Sequence, residues 1–216
     1  MQIRALAIVS VLAAAAGIAS AQVHTEIGDA GQLAGGQLTG NGALSAIEGA
    51  LGANDVDMYS IRVDNWAAFS ASMLDTTGLT GIETDTQLFL FDAMGVAIAM
   101  NDDAPAPYNG FLSALEVGSS LYSGRTNGEL VWIAVSGYDT DPQAGGLDIF
   151  VDSPFRSTAR AATGAGAAGA VDGWAGSNTI GGSYRISLTG ASAVPTPGAL
   201  ALLGLGGVVA GRRRRN

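Results

Sequence analysis

The feature that most constrains this chain is a recurrence of short apolar runs, each closed off by Gly, Asp or Asn. Residues 57–63 (DMYSIRV) place Tyr59, Ile61 and Val63 on one side of an extended backbone and Met58, Ser60 and Arg62 on the other, the period-2 pattern of a strand. Similar runs occupy 67–74, 87–91 (QLFLF), 96–100, 129–136 (ELVWIAVS), 147–151 and 183–188 (SYRISL). Residues 43–51 suit a helix by propensity and are read here as a further strand. The 32 glycines supply the turns that so many short strands need. Strands of this length, separated by turn residues, predict an all-β fold: a single β-sandwich.

Two segments fall outside the pattern. Residues 22–42 are Gly-rich with weak periodicity, which predicts a lead-in loop and a first edge strand. Residues 153–182, with ATGAGAAGA and WAGSNTIGG, lack apolar alternation; they predict a long mobile loop before the last strand, with Arg156, Arg160 and Trp174 offering a contact surface.

Both ends read as signals. Residues 1–21 open with Arg4, continue through an apolar stretch at 5–18, and close on Ala19-Ser20-Ala21. A positive start, a short apolar middle and small residues at the cut define a secretory signal peptide, so the mature chain is predicted to begin at Gln22. As a membrane anchor, the apolar run would be near the lower limit for a bilayer span. At the other end, residues 194–216 read VPTPGALALLGLGGVVAGRRRRN. A helix over 198–211 would reach only ~21 Å against a hydrocarbon core of ~30 Å. The basic cluster after it would stay on the cytoplasmic side. This predicts a transient membrane hold.

The motif Val194, Pro195, Thr196, Pro197, Gly198, then the Leu/Gly helix, then Arg212, Arg213, Arg214 and Arg215, resembles the PEP-CTERM sorting signal of Gram-negative and related bacteria, in a V-P-T-P-G form with Thr196 where the signature has glutamate. The resemblance implies an exosortase-type processing enzyme as partner, passage to the cell surface or extracellular matrix, and an association with exopolysaccharide.

Charge narrows the chemistry. The chain has no Lys, and all nineteen acids fall between Glu26 and Asp172. Residues 22–211 carry five Arg against those nineteen, a net of −14. Nucleic-acid binding, which needs cations to neutralise phosphates, is excluded as an expectation. With no Cys, disulfides and thiol chemistry are excluded as well. The single His, His24, lies three residues from the predicted mature start, where chains tend to fray, which argues against a Ser-His-Asp site. Carboxylate pairs for glycoside hydrolysis exist in any acid-rich fold, and nothing singles one out.

Calcium is the ligand that the residues favour, because hard cations take oxygen ligands from Asp, Asn and carbonyls. Asp55 and Asp57 flank one strand start, Asp85 and Asp92 flank the central strand, and Asn101, Asp102 and Asp103 form a dense turn. A sandwich that brought these loops to one end would assemble a calcium site. Asp and Asn also favour turns for backbone reasons alone. Among the aromatics, Trp66, Phe69, Phe89, Phe91, Trp132 and Tyr184 are predicted core residues. Tyr108, Tyr122, Tyr138 and Trp174 are predicted to be exposed.

The runs NDVDMY at 54–59, TDTQLFLFD at 84–92, NDD at 101–103 and GSYRISL at 182–188 resemble the bacterial pre-peptidase C-terminal domain over about 43–190. That resemblance implies a jelly-roll-like β-sandwich with an accessory role in folding, secretion or attachment, and calcium binding in some relatives. The combined expectation is an exported, non-catalytic structural or adhesive module. A lectin-like module and a small secreted carbohydrate-active enzyme are the alternatives.

Overall fold

The computed structural model describes residues 20–33, 35–105, 110–151, 158–179 and 181–195. These are all-β: β1 (Gln22–Thr25), β2 (Gln37–Leu38), β3 (Leu44–Leu51), β4 (Val56–Val63), β5 (Ser70–Ser72), β6 (Thr86–Asp92), β7 (Ala97–Asn101), β8 (Ala114–Leu115), β9 (Glu129–Gly137), β10 (Thr140–Ala144), β11 (Leu147–Asp148), β12 (Gly173–Gly176), β13 (Gly182–Thr189) and β14 (Ala191–Ala193). A 3-10 turn at Ser120–Tyr122 is the one helical element among them. No described helix is long and apolar enough to cross a membrane. The tail helix expected at 198–211, Ala19 of the expected leader, Tyr108 and Arg156 lie outside the described residues.

Two main sheets face one another. One is five-stranded in the order β1-β3-β13-β5-β8, the other six-stranded in the order β14-β4-β9-β6-β7 with β2 also on β4. Between them Tyr59, Ile61 and Val63 of β4, Leu88 and Leu90 of β6, and Val131, Ile133 and Val135 of β9 meet Ile47, Tyr184, Ile186 and Leu188 from the opposite sheet. This is the expected alternation at work: one parity of each strand fills a shared, sandwich-like core.

The other parity of the six-stranded sheet is also buried. Val56, Met58, Phe89, Phe91, Met100 and Ala134 form a second core with Ala144, Ile149, Phe150 and Val171. Its cover is a three-stranded sheet, β11-β10-β12, together with the segment predicted to be a mobile loop. The described part of that segment is tied down. β12 lies within it, Arg160 and Met100 exchange backbone hydrogen bonds of 2.9 and 3.0 Å, and the Val171 amide donates to Gly95 O at 2.9 Å. Trp174 stands edge-on to Phe89, with ring centroids 5.3 Å apart, and its indole N–H donates to Gln32 O at 2.5 Å. The glycines of ATGAGAAGA serve close approach. A Cβ on Gly164 would sit 2.1 Å from Asp148 O, and one on Gly166 2.3 Å from Leu147 O.

Smaller departures have local causes. The strand expected at 67–74 shrinks to β5 because Asn65 closes a turn, its side-chain oxygen taking the Ala67 amide at 3.1 Å. The run at 147–151 keeps only β11, since Ile149 turns away to Pro142 O at 3.0 Å. Tyr122 is buried against Trp66 and Phe69 rather than exposed. His24 is ordered on β1, its ring 5.7 Å from Tyr59 and its Nε2 2.9 Å from Gln37 Oε1.

If the third layer is packed as a true core, Phe150→Ala should cost about 3 kcal/mol in denaturant unfolding. A loss within about 0.5 kcal/mol, the range of a surface change, would show that the layer is a loose cover.

Candidate functional site

Strand register decides which acids can meet. Pairing of Val56 with Ser136, Thr86 with Gly137, and Leu88 with Asn101 puts the start of β4, the start of β6 and the exit of β7 at the same end of the six-stranded sheet. Asp55, Asp57, Asp85, Asn101, Asp102 and Asp103 therefore share that end. Asp92, paired with Val131, is at the opposite end, where its carboxylate closes a turn by accepting the Met94 and Val96 amides at 2.8 and 2.9 Å.

The shared end holds two separate groups. In the first, Asp57 points from β4 into the gap between the sheets and is fully buried. Tyr184, reaching across from β13, donates its hydroxyl to Asp57 Oδ2 at 2.6 Å. With that proton committed, the 2.6 Å contact between the two tyrosine hydroxyls is a donation from Tyr59 to Tyr184. Asp57 Oδ1 has no hydrogen-bond partner among the described residues. Two acids that the sequence reading passed over complete the group: oxygens of Glu26, Asp29 and Asp57 lie within 4.8 Å of one another. Glu26 is fixed by the amides of Ala30 at 3.1 Å and Ala50 at 3.0 Å, and Asp29 by the Gly31 amide at 2.9 Å. Gly49 makes the room. A Cβ there would fall 2.4 Å from the Tyr184 hydroxyl oxygen and 2.6 Å from Glu26 Oε2.

Asp55 stands next to this group but spends its oxygens on the turn, accepting the Gly52 and Val56 amides at 2.9 Å each. Its charge is still felt. Burial first, then the charges of Glu26 and Asp55, push the Asp57 carboxyl up to about 7 against the pull of the Tyr184 hydrogen bond. Burial likewise pushes both tyrosine hydroxyls up, so they remain donors.

The second group lines a cavity of about 340 Å³ formed by Asp85, Asp102, Asp103, Phe111 and Tyr138. Burial, followed by the charges of Asp103 and Glu83, raises the Asp85 carboxyl. Asn101 is buried and structural: it donates to Asp103 O at 2.9 Å and accepts the Ala114 amide at 2.7 Å.

The two expected processing positions meet the described body at one place. Ala21 is exposed, and the Gln22 amide donates to Ala43 O at 2.9 Å. The Val194 amide donates to Thr39 Oγ1 at 3.0 Å, while Gly40 N donates to Val194 O at 3.0 Å. Pro195 is the last described residue; Thr196, Pro197, Gly198 and the four terminal arginines lie outside. No protein-family model matches the chain, and comparison with curated proteins and with solved structures gives no match.

Asp57 makes stability depend on pH with a defined sign. Its proton affinity is higher folded (about 7) than in the reference state (3.8). The folded form therefore keeps a proton that the unfolded form sheds, and its contribution is lost as pH rises from about 4 to about 7. In chelator, the unfolding midpoint should fall across that window, and Asp57→Asn should flatten this part of the profile. An unchanged slope in the variant would place the titrating group elsewhere.

Proposed function

We propose that this chain is an exported, non-catalytic structural or adhesive module: a jelly-roll-like sandwich of the pre-peptidase C-terminal type, delivered by its leader and sorted through a PEP-CTERM-type tail to the cell surface or the extracellular polysaccharide matrix. The observation that carries this reading is where the first and last described strands fall relative to the two expected processing positions. β1 begins at Gln22, directly after the small-residue cleavage motif, and β14 ends at Ala193, directly before Val194 and Pro195. Removal of the leader and cutting near the prolines would each leave every described strand intact. An exosortase-type enzyme acting near Pro195 would find the substrate segment emerging from an edge strand, with the membrane hold beyond it.

The same reading gives calcium a structural role, held by Glu26, Asp29 and Asp57. The donor set fits: it is all oxygen, it is crowded with like charge, and Asp57 Oδ1 is buried with no donor facing it among the described residues. Glu26 and Asp29 follow β1 of the five-stranded sheet, whereas Asp57 belongs to β4 of the six-stranded one. A cation there would fasten one sheet to the other and offset the burial and like charge that raise the Asp57 carboxyl. Outside the cell, where calcium is plentiful, the module would be stiffened on arrival.

Deleting 194–216 should abolish surface retention while the released body stays folded; retention without the tail would remove the sorting claim. For the cation, thermal unfolding of the full chain in millimolar calcium against chelator is the direct measurement. A ligand at about 100 times its Kd adds about 2.7 kcal/mol, or about 5–10 °C for a domain of this size. The shift should vanish in Asp57→Asn. Equal midpoints in calcium and chelator would make the three acids a proton-sharing cluster with no metal role.

A further inference from the structure

The second acidic group carries a different ligand chemistry. Phe111 and Asp85 are bridged partners, and the Tyr138 amide donates to Asp85 O at 2.9 Å. Asp85 is thus the middle residue of a three-residue row with an aromatic ring on each side, at the spacing of neighbouring strands. Both rings reach solvent: Phe111 is 64 % exposed and Tyr138 42 %. Asp102 and Asp103 close the cavity from the exit of β7.

Glu83, outside the cavity lining, adds a charge that is felt at Asp85. It is 1 % exposed, its Oε1 accepts the amides of Thr84 at 3.0 Å and Asp85 at 3.1 Å, and its Oε2 has no partner among the described residues. The carboxylate is therefore held at the Asp85 backbone with one buried oxygen uncompensated. None of the ion pairs between described residues involves Glu83, Asp85 or Asp103. The proton affinity of Asp85 is raised by burial first and then by the like charges of Asp103 and Glu83. Such a site gains most from a positive charge brought in from outside.

We infer that this cavity binds a small organic cation, a protonated amine whose charge meets Asp85 and Asp103 while its carbon skeleton lies against Phe111 and Tyr138. Two observations favour an organic cation over a metal. Exposed ring faces attract ammonium groups and contribute nothing to the six to eight oxygens that calcium takes. A cavity of about 340 Å³ is within the range that holds small molecules. This site is separate from the Asp57 group, so the calcium reading can fail without affecting it.

The amine could be carried on a simple chain or on a sugar, and the probes separate these. Ligand-observed NMR with the full chain at low salt and neutral pH would compare n-butylammonium, glucosamine, and N-acetylglucosamine, which keeps the ring but loses the charge. Saturation transfer is expected to the amines and not to the acetylated sugar; the tighter of the two amines identifies the source. Asp85→Asn should weaken binding about tenfold and Phe111→Ala about threefold, with Asp57→Asn leaving it unchanged. Because Phe111 is exposed, its variant tests the ring without depending on a core substitution. Three results would each overturn the inference: equal binding of glucosamine and its acetylated form, displacement of both amines by stoichiometric calcium, or no transfer to either amine at 10 mM (roughly the weak limit of specific recognition).

Discussion

The rings of Phe89 and Phe91 on one face of β6, and the side chains of Leu88 and Leu90 on the other, commit the six-stranded sheet to being covered twice. All four are fully buried. Exposing either pair would forfeit about 3–6 kcal/mol of apolar burial, at roughly 1.5–3 kcal/mol for each large side chain. The five-stranded sheet satisfies one face. The other requires a third layer, and the chain builds it from the least strand-like material it has: β10 with Pro142 in its middle, a four-residue β12, and a glycine-rich crossing. The layer holds because its few large residues, Ile149, Phe150, Val171 and Trp174, all point at the central sheet.

A different economy governs the Asp57 end. A carboxyl has been taken out of water between two sheets, where an unpaired charge is expensive. Two features lower the cost, the Tyr184 hydroxyl and a rise in proton affinity, while the neighbouring charge of Glu26 adds to it. Gly49 is the permissive element. Its missing side chain allows a tyrosine hydroxyl from one neighbour and a carboxylate from another to meet beside Asp57. Substitution there would disturb the site without replacing any charged residue, because the added Cβ would crowd the Tyr184 hydroxyl and the Glu26 carboxylate.

What could be read from the sequence follows from how local each signal is. The strands β4, β6, β7, β9 and β13 announced themselves through runs such as DMYSIRV and SYRISL, whose pattern needs no tertiary knowledge. The third layer was written in QLFLF and ELVWIAVS as well, since a run apolar at both parities marks a sheet buried on both faces. Its partner segment stayed hidden because glycines that permit close backbone approach look the same as glycines that permit freedom. At the site, register carried Asp55, Asp57, Asp85 and the 101–103 turn to one end, as a sandwich implies. The division into two groups depends on Glu26 and Asp29, which join Asp57 only through the parallel pairing of β1 with β3. No local pattern encodes that pairing.

The segment Thr39–Ala43 receives both ends of the body, through Gln22 on one side and Val194 on the other. A fold whose first and last described strands meet the same few residues is modular in the geometric sense. It can be spliced into another chain at a single point, or its ends joined and new ones opened in a turn such as 92–96, without rethreading either sheet. A force applied at Pro195 would enter through the three-residue ladder of β14 on β4 and the Thr39 hydroxyl, and would reach the core between the two main sheets through Ala191 and Ala193, while the second core lies on the far face of the six-stranded sheet.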